Sequence, residues 1–109
     1  MNKPAASEEI SLETIYINEI SNAAKVKFPE IERIILFGSR AIQTSKLGSD
    51  IDIAIDGDNV TRATKLNFFD WLNNESSIPY KIDVVDINSV TNTDLLTHIR
   101  EKGIMIYEV

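Results

Sequence analysis

Cysteine is absent from the 109 residues, which excludes disulfide frameworks, thiolate metal sites and a cysteine nucleophile. Histidine occurs once, at His98, so a zinc site of the H-E-x-x-H kind is excluded too. No apolar run approaches the ~20 residues of a membrane span, and the N-terminal region has no basic stretch leading into an unbroken apolar one. The expected location is cytoplasmic, with no membrane contact. Positive charge is in short supply, with eleven Lys and Arg against seventeen Asp and Glu and a net charge of −6. That balance disfavours sequence-independent binding to a phosphate backbone, so no direct nucleic-acid binding is expected. A nucleotide is still permitted, because metal ions can screen its phosphates.

What remains is an ordinary globular composition, 43% hydrophobic and 26% charged. The length suits one domain over residues 1–109, with Met1 to Ala6 as a flexible tail and a core from about residue 31 onward. Ser7, followed by Glu8 and Glu9, has the form of a helix cap and predicts a helix of about twenty residues ended by Pro29. Ile34 to Phe37 reads as a buried strand stopping at Gly38, with a short helical start over Ser39 to Ile42. Asp50 to Asp56 alternates with period two, which puts three isoleucines on one face and Asp50, Asp52, Ala54 and Asp56 on the other. Val60 to Asn74 predicts a second helix capped by Asp58 or Thr61, and Lys81 to Ile87 a third strand. Thr91 or Asn92 caps a third helix that ends before Gly103, leaving Ile104 to Tyr107 as the last strand. This order implies an α/β (α+β) domain, a mixed sheet of about four strands packed with helices.

The chemistry concentrates in Gly38-Ser39, ten further residues, and Asp50-Ile51-Asp52. Two carboxylates two apart on a strand have Cβ atoms ~6–7 Å apart, close enough to reach the same hard cations. A pair of such ions roughly 3.5–4 Å apart clamps the attacking and leaving oxygens of a phosphoryl displacement. Gly38 lets a phosphate approach the backbone, and the amide and hydroxyl of Ser39 can donate to it. Asp83 is the candidate third carboxylate, because a charge among β-branched residues in mid-strand is costly unless it meets a cation. Arg40 and Lys46 are the cations nearest the expected phosphates. Taken singly, a Gly-Ser pair is a turn and alternating Asp a solvated face, and it is their ordered combination that points to a site. His98, between Leu96 and Ile99, reads as a structural or surface residue, and Asp56 and Asp58 as turn residues.

The segment Leu36-Phe37-Gly38-Ser39-Arg40-Ala41 through Ser49-Asp50-Ile51-Asp52-Ile53 resembles the DNA polymerase β-like nucleotidyltransferase superfamily, in particular its minimal, MNT-type members. Those proteins show a strand ending in phenylalanine, Gly-Ser, an insert of fixed length, Ser-Asp-x-Asp and a downstream strand Asp, matched here by Asp83. The closing run Ile99 to Tyr107 is also similar to the end of an MNT domain. After Arg40-Ala41 many relatives carry a basic residue and then glycine, whereas this chain has Ile42-Gln43.

By that resemblance Gly38 and Ser39 hold the nucleotide phosphates, with Arg40, Lys46 and Ser49 as further nucleotide-binding candidates. Asp50, Asp52 and Asp83 are then the catalytic carboxylates and the ligands of Mg²⁺ or Mn²⁺. The implied reaction is transfer of AMP from ATP to a hydroxyl, with release of pyrophosphate. Larger relatives append a domain that holds the acceptor, which 109 residues do not accommodate. The resemblance therefore implies a hetero-oligomer with a helical HEPN-type protein, this chain being the antitoxin that adenylylates its partner. Apolar residues round the first helix, and Phe68, Phe69, Trp71 and Leu72 on the second, suit either a partner surface or packing on two sides. Two alternatives stay open: a binding module that neutralises a HEPN protein by contact, and nucleotidyl transfer to a small molecule held by a helical subunit.

Overall fold

The structure, a computed structural model, describes residues 12–42 and 48–109. The expected tail, the Ser7 cap, Gln43 and Lys46 lie outside the described residues. Within them the order is α1 (Thr14–Lys27), β1 (Arg33–Phe37), a 3-10 turn (Gly38–Arg40), β2 (Ile51–Asp56), α2 (Arg62–Asn74), β3 (Ile82–Asp86), a second 3-10 turn (Ile87–Ser89), α3 (Thr93–Lys102) and β4 (Ile104–Glu108). Among the described residues no helix is long and apolar enough to cross a membrane.

The four strands form one mixed sheet in the order β3-β2-β1-β4. β1 runs antiparallel to both β2 and β4, while β2 and β3 are parallel. Parallel neighbours need a crossover, and α2 supplies it. Its start is fixed by Thr61, whose side chain accepts from the Thr64 N–H while Thr64 accepts from the Thr61 N–H, a reciprocal cap. Asn92 caps α3 by accepting from the Leu95 N–H, with Asp94 in the first turn and Arg100 and Lys102 in the last, as the helix dipole favours.

Period two divides the sheet's side chains between two cores. Ile34, Leu36, Ile51, Ile53 and Ile55 face α1 and α2, where they meet Ile20, Phe68 and Leu72, all essentially inaccessible to water. Phe37, Ala54 and Ile87 form the second core with Ile99 of α3. The strand alternation expected for β2 therefore describes two packed faces.

α1 begins at Thr14 with Glu13 as its N-cap and runs 14 residues, short of the helix of about twenty expected after Ser7, and other details differ for local reasons. β2 begins at Ile51, whose N–H donates to the Lys81 carbonyl, so Asp50 stands just ahead of the strand. β3 ends at Asp86, whose carboxylate turns to cap the following 3-10 turn. Gly103 occupies the C-cap of α3 with φ −69°, so no left-handed step explains the glycine there. Instead, a Cβ at Gly103 would strike the Ile99 carbonyl oxygen and the Ile35 side chain, so the missing side chain lets α3 lie close against β1.

The aromatic cluster on α2 is resolved residue by residue. Phe68 is fully buried, Trp71 packs against the core with the Lys27 ammonium 5.8 Å from its ring centroid, and Phe69 is 38% exposed. Phe68→Ala is accordingly expected to cost about 3–5 kcal/mol in chemical denaturation, against about 1 kcal/mol or less for Phe69→Ala. Equal losses at the two positions would contradict this packing.

Candidate active site

Pairing register builds the site. Phe37 lies opposite Asp52 across β1 and β2, and Asp52 opposite Asp83 across β2 and β3. Residues directly opposite in a sheet share a face, so the two carboxylates stand side by side on the face that carries α3. Asp50, exposed and two residues before Asp52, is at the same end of the sheet.

Electrostatics follow from that placement. Burial, and after it the carboxylates of Asp83 and Asp50, raise the Asp52 carboxyl above its ordinary value. Among the described residues Asp52 makes no salt bridge. Asp56, at the other end of the same strand, shows the opposite outcome. Burial alone would raise its carboxyl too, but hydrogen bonds from Arg33 Nε at 2.9 Å and Asn88 Nδ2 at 3.0 Å bring it below the ordinary value. It is an ion-paired strand end rather than a turn residue.

Asp83 departs from the mid-strand burial expected of it. Its side chain is 45% exposed, with Lys81 Nζ 4.0 Å away, so Asp52 is the carboxylate that carries the desolvation cost. Among the described residues no three His, Asp or Glu side chains are gathered closely enough to hold a metal ion as they stand. The donor set is nonetheless of the right chemistry. Asp50 and Asp83 both raise the Asp52 carboxyl, and all-oxygen, anionic groups of this kind suit a hard divalent cation that would relieve their repulsion.

The turn beside the carboxylates is shaped by glycine for two reasons. Gly38 has φ +78°, the left-handed region, and a Cβ there would collide with the Asp52 carboxylate, whose Cγ would be 3.3 Å away. Its carbonyl accepts from the N–H groups of Ala41 and Ile42 at 3.1 and 3.3 Å, closing the 3-10 turn. The Gly38 N–H does not face a phosphate site freely; it donates to Nε2 of His98 at 3.0 Å. The N–H and hydroxyl of Ser39 have no partner among the described residues and are the donors open to an anion.

Arg40, expected near phosphates, is 4% exposed and directed into the protein. Its Nε and Nη2 donate to the Ser49 carbonyl at 3.0 and 2.7 Å, and its guanidinium lies 4.3 Å from the centroid of the Tyr80 ring. The planar fork and cation–π stacking make arginine the residue suited to such a position. Tyr80 OH donates to Glu13 Oε2 at 3.0 Å, so one buried cation ties the Gly-Ser turn, the segment before Asp50 and the lead-in to β3 to α1's start. Ser49 enters through its backbone carbonyl.

The structural reading of His98 holds, but sequence reasoning did not connect it to the Gly-Ser turn and did not single out Tyr80, because neither is near the motif in the chain; His98 lies 60 residues from its partner. A groove of about 390 Å³ opens at the opposite end of the same face, lined among others by Arg33, Asp56, Asn88, Arg100 and Met105. It contains none of the site carboxylates.

Comparison with known proteins gives an independent bearing. The profile of the family described as Polymerase beta, Nucleotidyltransferase matches residues 18–109. No curated protein matches the chain. A toxin–antitoxin crystal structure with AMP-PNP aligns at 26% identity and a TM-score of 0.71, covering 85% of this chain and 73% of that one. The complex of a tri-AMPylated Shewanella oneidensis HEPN toxin with an MNT antitoxin aligns at 22% identity and a TM-score of 0.68, covering 90% and 74%. The toxin–antitoxin pair MntA–HepT gives 22% and 0.68, covering 89% and 74%. At 22% identity the last two speak to the fold alone.

The raised carboxyl makes a signed prediction. Asp52 binds its proton more tightly folded than unfolded, so its ionised form opposes folding at neutral pH, and the opposition vanishes as pH falls through the raised value and then the ordinary one. Asp52→Asn is expected to raise the melting temperature at pH 7 by about 2–5 °C, with the gain shrinking toward pH 3. A variant less stable than wild type at pH 7, in thermal denaturation without divalent ions, would contradict the repulsion.

Proposed function

The chain belongs to the polymerase beta nucleotidyltransferase family, and from that membership we propose that it transfers AMP from ATP to a hydroxyl of a helical HEPN-type partner, as the antitoxin of a toxin–antitoxin pair. The observation that carries the proposal is the Asp52–Asp83 register, with Asp50 beside it, at the mouth of a glycine turn that presents Ser39. Support for the nucleotide and for a toxin partner comes from the neighbour at 26% identity, a toxin–antitoxin complex crystallised with AMP-PNP; the complex that holds an AMPylated HEPN toxin shares the fold and supplies the acceptor this proposal adopts.

Asp50, Asp52 and Asp83 are the residues that would hold Mg²⁺ or Mn²⁺. When bound, such an ion neutralises triphosphate charge and polarises the phosphoryl group under attack. The chain's own contribution is positional. Ser39 donates from its N–H and hydroxyl to phosphate oxygens, and Gly38, lacking a side chain, leaves that approach clear beside Asp52. Asp83, its side chain 45% exposed, is open to an arriving acceptor and takes the proton of its hydroxyl as the new P–O bond forms and pyrophosphate leaves. Arg40 contributes by holding the Ser49 carbonyl, and with it the segment leading to Asp50. Lys46 remains the candidate cation for the departing pyrophosphate.

The test is the intact mass of the natural partner after incubation with this protein, ATP and Mg²⁺. One or more added adenylyl groups are expected, and Asp50→Asn or Asp52→Asn should slow their appearance by about a hundredfold or more. A partner that is bound and silenced but never gains mass would replace transfer with neutralisation by contact. Modification of a metabolite with the partner unchanged would instead keep the enzyme and change its acceptor.

A further inference from the structure

The nucleotidyl-transfer reading leaves unused the single histidine of the chain, which sits half-buried against the Gly-Ser turn. Its Nε2 accepts the Gly38 N–H at 3.0 Å. A strand-terminal N–H needs a partner once the ladder ends, and here a helix side chain supplies it.

His98 is placed with little freedom. Its ring meets Phe37 edge to face, with centroids 6.2 Å apart at 76°. The next residue, Ile99, is buried against Phe37, Ala54 and Ile87, which fixes the helix over the sheet. Gly103 then allows α3 to approach β1 as closely as their backbones permit. The acceptor is therefore part of a packed element and not a loose surface ring.

With its N–H held by His98 and its carbonyl by Ala41 and Ile42, the Gly38 residue is anchored on both sides at φ +78°. The next donors along the chain are the Ser39 N–H and hydroxyl. We propose that His98 is a positioning residue for nucleotide binding, fixing the Gly38-Ser39 turn so that the Ser39 donors stay directed at a triphosphate. This role rests on the nucleotidyl-transfer reading above, and it separates the two residues of the motif, with Gly38 held by the protein and Ser39 left to the ligand.

The test compares wild type with His98→Gln, whose side-chain oxygen can still accept the Gly38 N–H, and His98→Leu, which keeps apolar packing but offers no acceptor. Two readouts are taken on each folded protein: hydrogen exchange of the Gly38 amide, and affinity for AMP-PNP with Mg²⁺. For His98→Leu, exchange at Gly38 is expected to be about tenfold faster or more and affinity about tenfold weaker, the change that loss of one hydrogen bond produces. His98→Gln should stay within about threefold of wild type in both. Unchanged nucleotide affinity in His98→Leu, or equal weakening in both variants, would overturn the positioning role while leaving nucleotidyl transfer standing. Failure of the wild type to bind AMP-PNP at all would overturn the nucleotidyl-transfer reading and this role with it.

Discussion

Like charge held at close range by a hydrogen-bonded ladder is the constraint on which the site depends. Asp52 and Asp83 are neighbours because β2 and β3 are parallel in a fixed register, and a slip of one residue would turn every carboxylate to the opposite face. The same slip would carry the isoleucines of β2 out of the core, so the packing that stabilises the domain also enforces the repulsion at its edge. Among the described residues no Lys or Arg makes a salt bridge to Asp52, whereas Asp56 on the same strand is given Arg33. Charge is thus neutralised at one end of β2 and left unsatisfied at the other, the pattern expected when a bound ion is to complete the site.

Support for the arrangement comes from both faces of the sheet. On one, α1 and α2 cover a broad aliphatic core, and a buried arginine joins the Gly-Ser turn to Ser49 and Tyr80. On the other, α3 packs through Ile99 and reaches the turn through His98. Gly38 stands between these supports, where a side chain would meet the Asp52 carboxylate. Its N–H is held from outside the motif by His98, and the donors of the turn left without a partner among the described residues belong to Ser39.

Much of this was legible in the amino-acid sequence, and the illegible part has a common cause. Strand alternation from Asp50 to Asp56, the Gly-Ser pair and the caps of α2 and α3 are local signals that the observed elements follow to within a residue or two, whereas α1 starts at Thr14 with Glu13 as its cap, well after the expected Ser7. The sequence implies no more than a mixed sheet with Asp83 as a third carboxylate; the parallel pairing of β2 with β3, which sets Asp52 opposite Asp83, is seen only in the structure. Sequence position said nothing of depth, so Asp83 was expected to be buried and Arg40 to reach phosphates, when the first is half-exposed and the second is packed beneath Tyr80. His98 and Tyr80 act across long separations in the chain, set by how helices and loops settle on the sheet. Gly103 marks the end of α3 in the sequence, and the reason a glycine stands there, clearance against the Ile99 carbonyl and Ile35, exists only in three dimensions.

The claim that Asp50, Asp52 and Asp83 form one cation site facing a nucleotide is tested most directly by paramagnetic broadening. Mn²⁺ added at low ratio with AMP-PNP to the isotopically labelled protein should broaden the backbone signals of residues 50–52 and 82–83 first, together with Gly38 and Ser39, and spare the groove around Arg33 and Arg100. Broadening centred on that groove or on other surface acids, with residues 50–52 and 82–83 unaffected, would contradict it.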